Sequence, residues 1–203
     1  TIPSCVGFIV LASPLMVLLY NDPGATPANL LMLGAIVIVL YGWSSITNSI
    51  LHGLNYMSSP AKNAAVALVI HLIAFVLMLT VFKMNVYALV GSNIVFALIM
   101  CFLNQRKIRK VCGFRLDIVR MFGKPLLAAV IMGVITYLVH LGLDMLIGGR
   151  VIPTVAAILA AIIVYVFLIL KMGTLSDDDI LALPMGARIL RFCRKLNLIP
   201  SGR

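Results

Sequence analysis

The sequence NQRKIRKVCGFRLDIVRMFGK, residues 104–124, decides how the rest of the chain is arranged. It holds seven Lys or Arg residues and one acid, Asp117, and long apolar sequence flanks it on both sides. Short loops rich in Lys and Arg resist translocation and stay on the cytoplasmic side of a membrane. We therefore expect this basic stretch to be cytoplasmic and to separate four membrane spans before it from two after it.

The composition is that of a membrane protein. Of the 203 residues, 63% are hydrophobic and 11% are charged, and the mean hydropathy is +1.14. Soluble domains are roughly half apolar and about a quarter charged. Apolar runs of about 20 residues are long enough to cross a bilayer as helices. The chain is therefore predicted to be all-α, a polytopic bundle of transmembrane helices.

Six spans are predicted from the apolar runs, with loops at residues 21–27, 55–62 and 83–85. The predicted spans are residues 5–20, 28–54, 63–82, 86–103, 125–147 and 151–170. Pro14 is expected to bend the first span, and Pro125 is expected to begin the fifth, because proline is favoured in a first helical turn. The predicted domains are residues 1–104 (four transmembrane helices), 105–124 (a basic linker), 125–171 (a terminal helix pair) and 172–203 (an amphipathic tail).

The net charge of +10 is placed asymmetrically. Fourteen of the sixteen Lys and Arg residues fall in segments predicted to lie inside, and only Lys83 and Arg150 fall outside. This bias predicts that both ends of the chain are cytoplasmic, and that the counter-charge is anionic lipid rather than nucleic acid. The residues expected to contact lipid headgroups are Arg106, Lys107, Arg109, Lys110, Arg191, Arg194 and Lys195.

The tail is predicted to form a separate helix. Ser176 and the three Asp residues after it are typical of a helix start. Apolar residues within 189–196 recur at helical spacing opposite basic ones, which predicts a helix on the inner membrane surface; a solvated helix packed on a cytoplasmic loop is the alternative. Because the sequence begins at Thr1 in the run-up to a span, without an initiator Met or a signal-peptide pattern, we expect a part of a longer protein.

The second span carries the most specific pattern of the chain. Tyr41, Ser45, Asn48, His52 and Asn55 follow steps of 4, 3, 4 and 3, so a helix places them in one polar stripe. Polar side chains are costly in hydrocarbon, so the stripe must face other helices or water. It is either the wall of a hydrophilic path or hydrogen-bonding contact between helices. If it is a path, replacing Asn48 and His52 together by Leu abolishes transport at nearly normal protein levels; if it holds helices together, the folded protein is lost.

Other polar groups within the spans are further candidates. His71 and Asn93 lie mid-span, where an ionisable or polar group is a functional candidate by default. The common alternative for His71 is a neutral imidazole that donates a hydrogen bond to a neighbouring backbone or serine. Together with the stripe, these two residues complete the predicted substrate path.

Catalysis is not expected. His140 and Asp144 lie four residues apart on one helix face, but no nucleophile motif or paired carboxylate accompanies them. The four cysteines have no metal-ligand spacing, and three lie near the cytoplasmic side, where disulfides are rare. The sequence therefore predicts a protein that is not an enzyme and has no metal site and no cofactor.

Two local motifs and the order of the spans resemble one family. The sequence ITNSILHGLNYMSSPAKNAAVALVIHLIAFVLML, residues 46–79, resembles the helix–turn–helix of bacterial oligosaccharide and polysaccharide flippases, and NVYALVGSNIVFALIMCFLNQRKIRK, residues 85–110, resembles their next span and its basic exit. The tail TLSDDDILALPMGARILRFCRKLNLI, residues 174–199, is similar to the ending of the stage V sporulation protein B branch. That branch belongs to the multidrug/oligosaccharidyl-lipid/polysaccharide exporter superfamily and is related to the lipid II flippases.

The resemblance implies a fourteen-helix transporter of two lobes, of which this chain supplies helices nine to fourteen. The N-terminal lobe is then a missing partner, and the substrate is a lipid-linked sugar moved by alternating access. In the lipid II flippase relatives the terminal helix pair forms a groove for the lipid tail. His52, Tyr56 and His71 depart from the family, which commonly has Gln, Lys and Lys there, so the substrate's identity stays open.

Three rival interpretations remain. A drug/cation antiporter of the same architecture is expected to carry acids within its spans, and here only Asp144 approaches one. A membrane enzyme acting on lipid-linked sugars needs a catalytic constellation. A scaffold subunit is distinguished by whether mutation of the stripe changes transport or only folding.

Overall fold

The structure, a computed structural model, describes residues 1–113, 118–147 and 149–172. Within these ranges it consists of helices and turns, with no strand, which confirms the all-α prediction. The helices are α1 (Ile2–Val10), α2 (Ala12–Tyr20), α3 (Ala25–Gly53), α4 (Ser58–Thr80), α5 (Tyr87–Cys112), α6 (Ile118–Ile147) and α7 (Val151–Lys171). The predicted tail helix, with Arg191, Arg194 and Lys195, lies outside the described residues.

The long helices have the length and composition of membrane spans. Among the described residues, five helices, α3 to α7, are long and apolar enough to cross a membrane. Helices α1 and α2 are bent by 74° at their junction and make a sixth span if they count as one. The most apolar part of α4 is only 6% buried, so its side chains point outward rather than into a core. The chain is a multi-pass membrane protein.

The bend in the first span lies at Leu11, three residues before the predicted position. Pro14 stands in the first turn of α2, where its missing N–H needs no intrahelical partner. Its ring excludes the carbonyl four residues earlier, that of Val10, and Val10 is the last residue of α1. Pro14 is therefore the expected cause of the bend, but the break occurs one turn upstream.

Two predicted loops are shorter in the structure. Helix α3 begins at Ala25, after a turn in which the Asp22 carboxylate accepts a 2.7 Å hydrogen bond from the backbone N–H of Gly24. Helix α4 begins at Ser58, so most of the predicted turn 55–62 is helical. Both helices therefore start several residues before their apolar sequence does.

The basic stretch is largely helical where the structure describes it. Helix α5 continues past the predicted end of its span, at residue 103, and ends where Gly113 adopts a left-handed conformation with φ of 72°. Lys and Arg are good helix formers, and cations are favourable near a helix C-terminus. Helix α6 begins at Ile118, and Pro125 lies inside it rather than at its start. The first part of the predicted linker, residues 105–112, therefore continues helix α5.

The chain divides into two compact units, Thr1–Asp117 and Ile118–Arg203, and the boundary falls within the basic stretch. In the first unit α5 packs between α3 and α4, while α1 and α2 pack on α3. In the second unit α6 and α7 form a helical hairpin. Both helices carry small residues that are fully buried, among them Ala128 and Ala129 on α6 and Ala157 on α7. Such residues let helices approach closely in membranes.

Candidate functional site

The polar stripe of α3 is mostly exposed. Tyr41, Ser45 and His52 are exposed, and Tyr41 keeps 42% of its surface accessible. The buried face of this part of α3 lies next to the stripe and contains Trp43, which is 6% exposed. The exposed stripe therefore borders the packed interior of the first unit without being part of it.

Two members of the predicted stripe depart from this arrangement. Asn55 lies beyond the end of α3, in the turn before α4, and its left-handed φ of 63° takes it off the helical path. Asn48 is half-buried, and its side-chain oxygen accepts a 2.7 Å hydrogen bond from the amide of Asn104 on α5. The structure therefore leaves Tyr41, Ser45 and His52 as the exposed polar face of α3.

Asn48 belongs to a hydrogen-bonded group that joins three helices. We call Thr47, Asn48, Asn63 and Asn104 the asparagine cluster. The Asn104 amide donates to Asn48 and, at 3.1 Å, to the Thr47 hydroxyl, and the Asn104 oxygen accepts a 2.9 Å bond from the Asn63 amide. Thr47 in turn donates to the Ser44 backbone carbonyl at 2.9 Å. The cluster links α3, α4 and α5 at one level.

Asn104 is fully buried and uses its side-chain oxygen and both amide hydrogens. A buried amide is costly when it is left unpaired, and stabilising when every donor and acceptor has a partner. In membranes such bonds between helices add stability that apolar packing alone does not supply. For Asn48 the structure therefore supports hydrogen bonding between helices rather than a lining role in a path.

Sequence reasoning missed Asn104 and Asn63 because it placed both at the ends of spans. Asn104 is the first residue of the basic stretch, yet it lies one helical turn after Met100, which is 5% exposed. Extending the helical period of α5 past residue 103 puts Asn104 on the same buried face. This helical periodicity is the sequence signal that indicates a buried Asn104.

His71 is held by α5. Its Nδ1 lies 2.9 Å from the backbone carbonyl oxygen of Ser92, so Nδ1 carries the proton and donates it. This confirms the interpretation of His71 as a donor to a neighbouring backbone group. In the neutral imidazole the other nitrogen, Nε2, then keeps a lone pair as an acceptor.

Asn93 forms a hydrogen bond within its own helix. Its amide donates to the Leu89 carbonyl at 3.0 Å, one turn earlier. The same carbonyl accepts a 3.0 Å bond from the hydroxyl of Ser92, which is fully buried. Asn93 is half-buried and directly follows Ser92, the residue whose carbonyl His71 contacts. Among the described residues, however, no hydrogen bond joins Asn93 and His71.

Three rings from three helices meet above the asparagine cluster. Phe96 of α5 packs edge-to-face against Tyr41 of α3, with ring centroids 6.2 Å apart, and against His71 of α4, with centroids 5.9 Å apart. Phe96 therefore lies between the other two rings. We call Tyr41, Phe96 and His71 the aromatic cluster.

The basic residues at the end of α5 divide into two kinds. Lys107 is half-buried, and its ammonium lies 4.6 Å from the centroid of the Tyr56 ring, in the turn between α3 and α4. This cation–π contact ties the turn to α5. Arg106, Arg109 and Lys110 are exposed and lie at i, i+3 and i+4 on one helical face. Their three charges point away from the first unit.

In the second unit His140 does not pair with Asp144. Thr154 of α7 donates its hydroxyl to the Arg150 carbonyl at 2.8 Å, so the 3.4 Å contact between His140 Nε2 and Thr154 places the imidazole as donor. Asp144 is exposed. The residues that the structure describes contain no group of three His, Cys, Asp or Glu side chains suited to a metal ion.

No family model, no curated protein sequence and no solved structure matches this chain. The residues themselves offer two polar layers across α3, α4 and α5. We call the asparagine cluster the closed layer, because the buried Asn104 is hydrogen-bonded to both neighbouring helices. We call the aromatic cluster the open layer, because the Tyr41 hydroxyl and His71 Nε2 have no hydrogen-bonding partner among the described residues.

Proposed function

We propose that this chain works as the C-terminal part of a transporter that flips lipid-linked oligosaccharides or cell-wall precursors across the bacterial inner membrane. The observation that carries the proposal is the exposed polar face of α3, formed by Tyr41, Ser45 and His52 within an apolar span. Polar groups facing lipid are costly, so such a face needs an aqueous cavity or another protein surface. The likeness of residues 46–79 and 85–110 to the flippases supplies the substrate class.

The packing behind the polar face suits alternating access. In the asparagine cluster, three side-chain hydrogen bonds join α3 and α4 to α5. Helices held in this way are expected to move as one body, and transporters of this kind rock one bundle against another around a fixed site. The N-terminal lobe of the same protein is the proposed second bundle, and no catalytic step is needed.

The proposed orientation places the exposed cations of α5 at the cytoplasmic surface. Arg106, Arg109 and Lys110 form one exposed face, and the first unit has no acid among its described residues except Asp22, beyond the opposite end of α3. Anionic lipid headgroups are the proposed counter-charge, worth about 1 kcal/mol for each cation near the surface. Replacing all three by Gln should weaken retention of anionic lipid in native mass spectrometry.

Transport by the reconstituted protein tests the proposal. In proteoliposomes carrying a fluorescent lipid-linked oligosaccharide, we expect Ser45→Leu and His52→Leu to reduce flipping at least tenfold without changing the thermal unfolding of the protein. Ile46→Ala is the matched control, because Ile46 is exposed on a different face of the same helix. Flipping by both stripe variants at the wild-type rate would contradict the proposal, and so would a wild-type protein that flips nothing.

A further inference from the structure

We infer that the aromatic cluster is a subsite that binds a sugar ring of the transported lipid-linked saccharide. The inference rests on the proposed function and assigns the part of the substrate that this face of the bundle recognises. Three features of the cluster support it: the ring geometry, the unused polar atoms and the depth along the helices.

The ring geometry provides apolar surfaces at the edge of a polar face. Phe96 holds Tyr41 and His71 through edge-to-face contacts with interplanar angles of 69° and 77°. Edge-to-face packing leaves ring faces that are not stacked on one another. One face of a pyranose ring is lined by C–H groups, and these pack on aromatic faces because the ring face is negative and the C–H hydrogens are slightly positive. Tyr41, at 42% exposure, offers the most accessible ring.

The polar atoms of the cluster match the rim of a sugar. Among the described residues neither the Tyr41 hydroxyl nor His71 Nε2 has a hydrogen-bonding partner, whereas His71 Nδ1 is engaged by the Ser92 carbonyl. The Tyr41 hydroxyl both donates and accepts, and Nε2 of the neutral imidazole accepts. Sugar hydroxyls supply complementary donors and acceptors. Ligand sites typically combine apolar and aromatic walls with a few placed polar groups of this kind.

The depth of the cluster separates it from the packing core of the bundle. From the asparagine cluster it is seven residues from Asn48 to Tyr41, eight from Asn63 to His71 and eight from Asn104 to Phe96. At the helical rise these steps correspond to about 10–12 Å. The aromatic cluster is thus a second layer within the same three helices. The asparagine cluster already joins these helices, so the bundle does not need the exposed Tyr41 ring or the unused polar atoms of the aromatic cluster, and a ligand can use them.

Binding of a glycolipid probe to the purified full chain in nanodiscs tests this inference. The probe is citronellyl pyrophosphate carrying N-acetylglucosamine, compared with citronellyl pyrophosphate without the sugar. We expect the wild-type protein to bind the sugar-bearing probe at least ten times more tightly. Tyr41→Leu and Phe96→Leu should abolish this preference, so that the two probes bind each variant with equal affinity. Tyr41→Phe, which keeps the ring, should retain most of the preference.

Phe102→Leu is the matched control, because Phe102 is an exposed ring on the same helix, away from the cluster. A thermal unfolding curve for each variant identifies any loss of folding, and the exposed position of Tyr41 keeps Tyr41→Leu informative if Phe96→Leu unfolds. If the wild-type protein flips lipid-linked oligosaccharide but Tyr41→Leu keeps the full sugar preference, the inference is overturned and the proposed function stands. If the wild-type protein neither flips the substrate nor prefers the sugar, both fall.

Discussion

The asparagine cluster and the aromatic cluster are built on the same three helices, yet they differ in the hydrogen bonding of their polar side chains. In the asparagine cluster the fully buried Asn104 uses every donor and acceptor of its amide on α3 and α4. In the aromatic cluster His71 uses one ring nitrogen, and the Tyr41 hydroxyl has no partner among the described residues.

This difference separates a structural layer from one that is free to bind. A closed network within a bundle rigidifies it, because each polar group is costly to leave unpaired. Polar atoms that keep spare capacity inside a membrane span are candidates for function, because the bundle itself does not need them. The predicted stripe of α3 contains residues of both layers, because Asn48 belongs to the asparagine cluster and Tyr41 belongs to the aromatic cluster.

The largest effect is expected when the closed layer is broken. Asn104→Leu removes three hydrogen bonds and leaves Asn48, Asn63 and Thr47 without their partner. We expect the free energy of unfolding to fall by about 2–3 kcal/mol, measured by denaturant titration in mixed micelles. Asn93→Leu is the matched control, because Asn93 bonds only to the backbone of its own helix in the described structure and should change stability far less. Equal losses from the two variants would show that the cluster does not hold the helices together.

A smaller loss of stability is expected when a polar residue of the aromatic cluster is replaced by Leu. His71→Leu removes the bond to Ser92, whose carbonyl lies within the hydrogen-bonded ladder of α5. We expect a loss of about 1 kcal/mol in the free energy of unfolding, measured as for Asn104→Leu. A loss as large as that of Asn104→Leu would remove the distinction between the two layers and make His71 a structural residue first.

The smallest loss of stability is expected from the contact between Lys107 and the turn that joins α3 to α4. Lys107→Gln removes the cation over the Tyr56 ring and should cost about 0.5–1 kcal/mol of stability. Lys110→Gln removes the same charge from an exposed position on the same helix and should leave stability unchanged. The thermal midpoints of the two variants at high salt, where surface charge is screened, compare them directly. A lower midpoint for the Lys110 variant would indicate that net charge, not the ring contact, is responsible.

The sequence predicted the elements well and their ends poorly. Apolar runs identified the spans because hydrocarbon demands about 20 apolar residues, whatever the tertiary contacts. The ends depend on caps and on how far a helix continues into water. Gly113 ends α5 nine residues after the predicted limit, and α4 starts at Ser58 because Ser and Pro are compatible with a first helical turn.

The candidate site was predictable only in part. Periodicity placed Tyr41, Ser45 and His52 on one exposed face of α3, and it also included Asn48 on that face. A single helix cannot reveal that Asn48 meets Asn104 across 56 positions of sequence, because the pairing depends on how α3 packs against α5. The contact of Phe96 with Tyr41 and His71 was likewise invisible, since an isolated phenylalanine in an apolar span carries no periodic signal.

The exposed polar face of α3 is proposed to face water rather than lipid, and cysteine accessibility distinguishes these two environments. Ser45 and Ile46 are neighbours, both exposed, on different faces of one helix. In the protein with its native cysteines replaced by Ser, each is changed to Cys and treated with a membrane-impermeant maleimide in sealed vesicles of both orientations. We predict that Ser45→Cys is labelled, from the side to which the cavity opens, and that Ile46→Cys is not. Equal protection of the two positions would place the exposed polar face of α3 against lipid or protein instead.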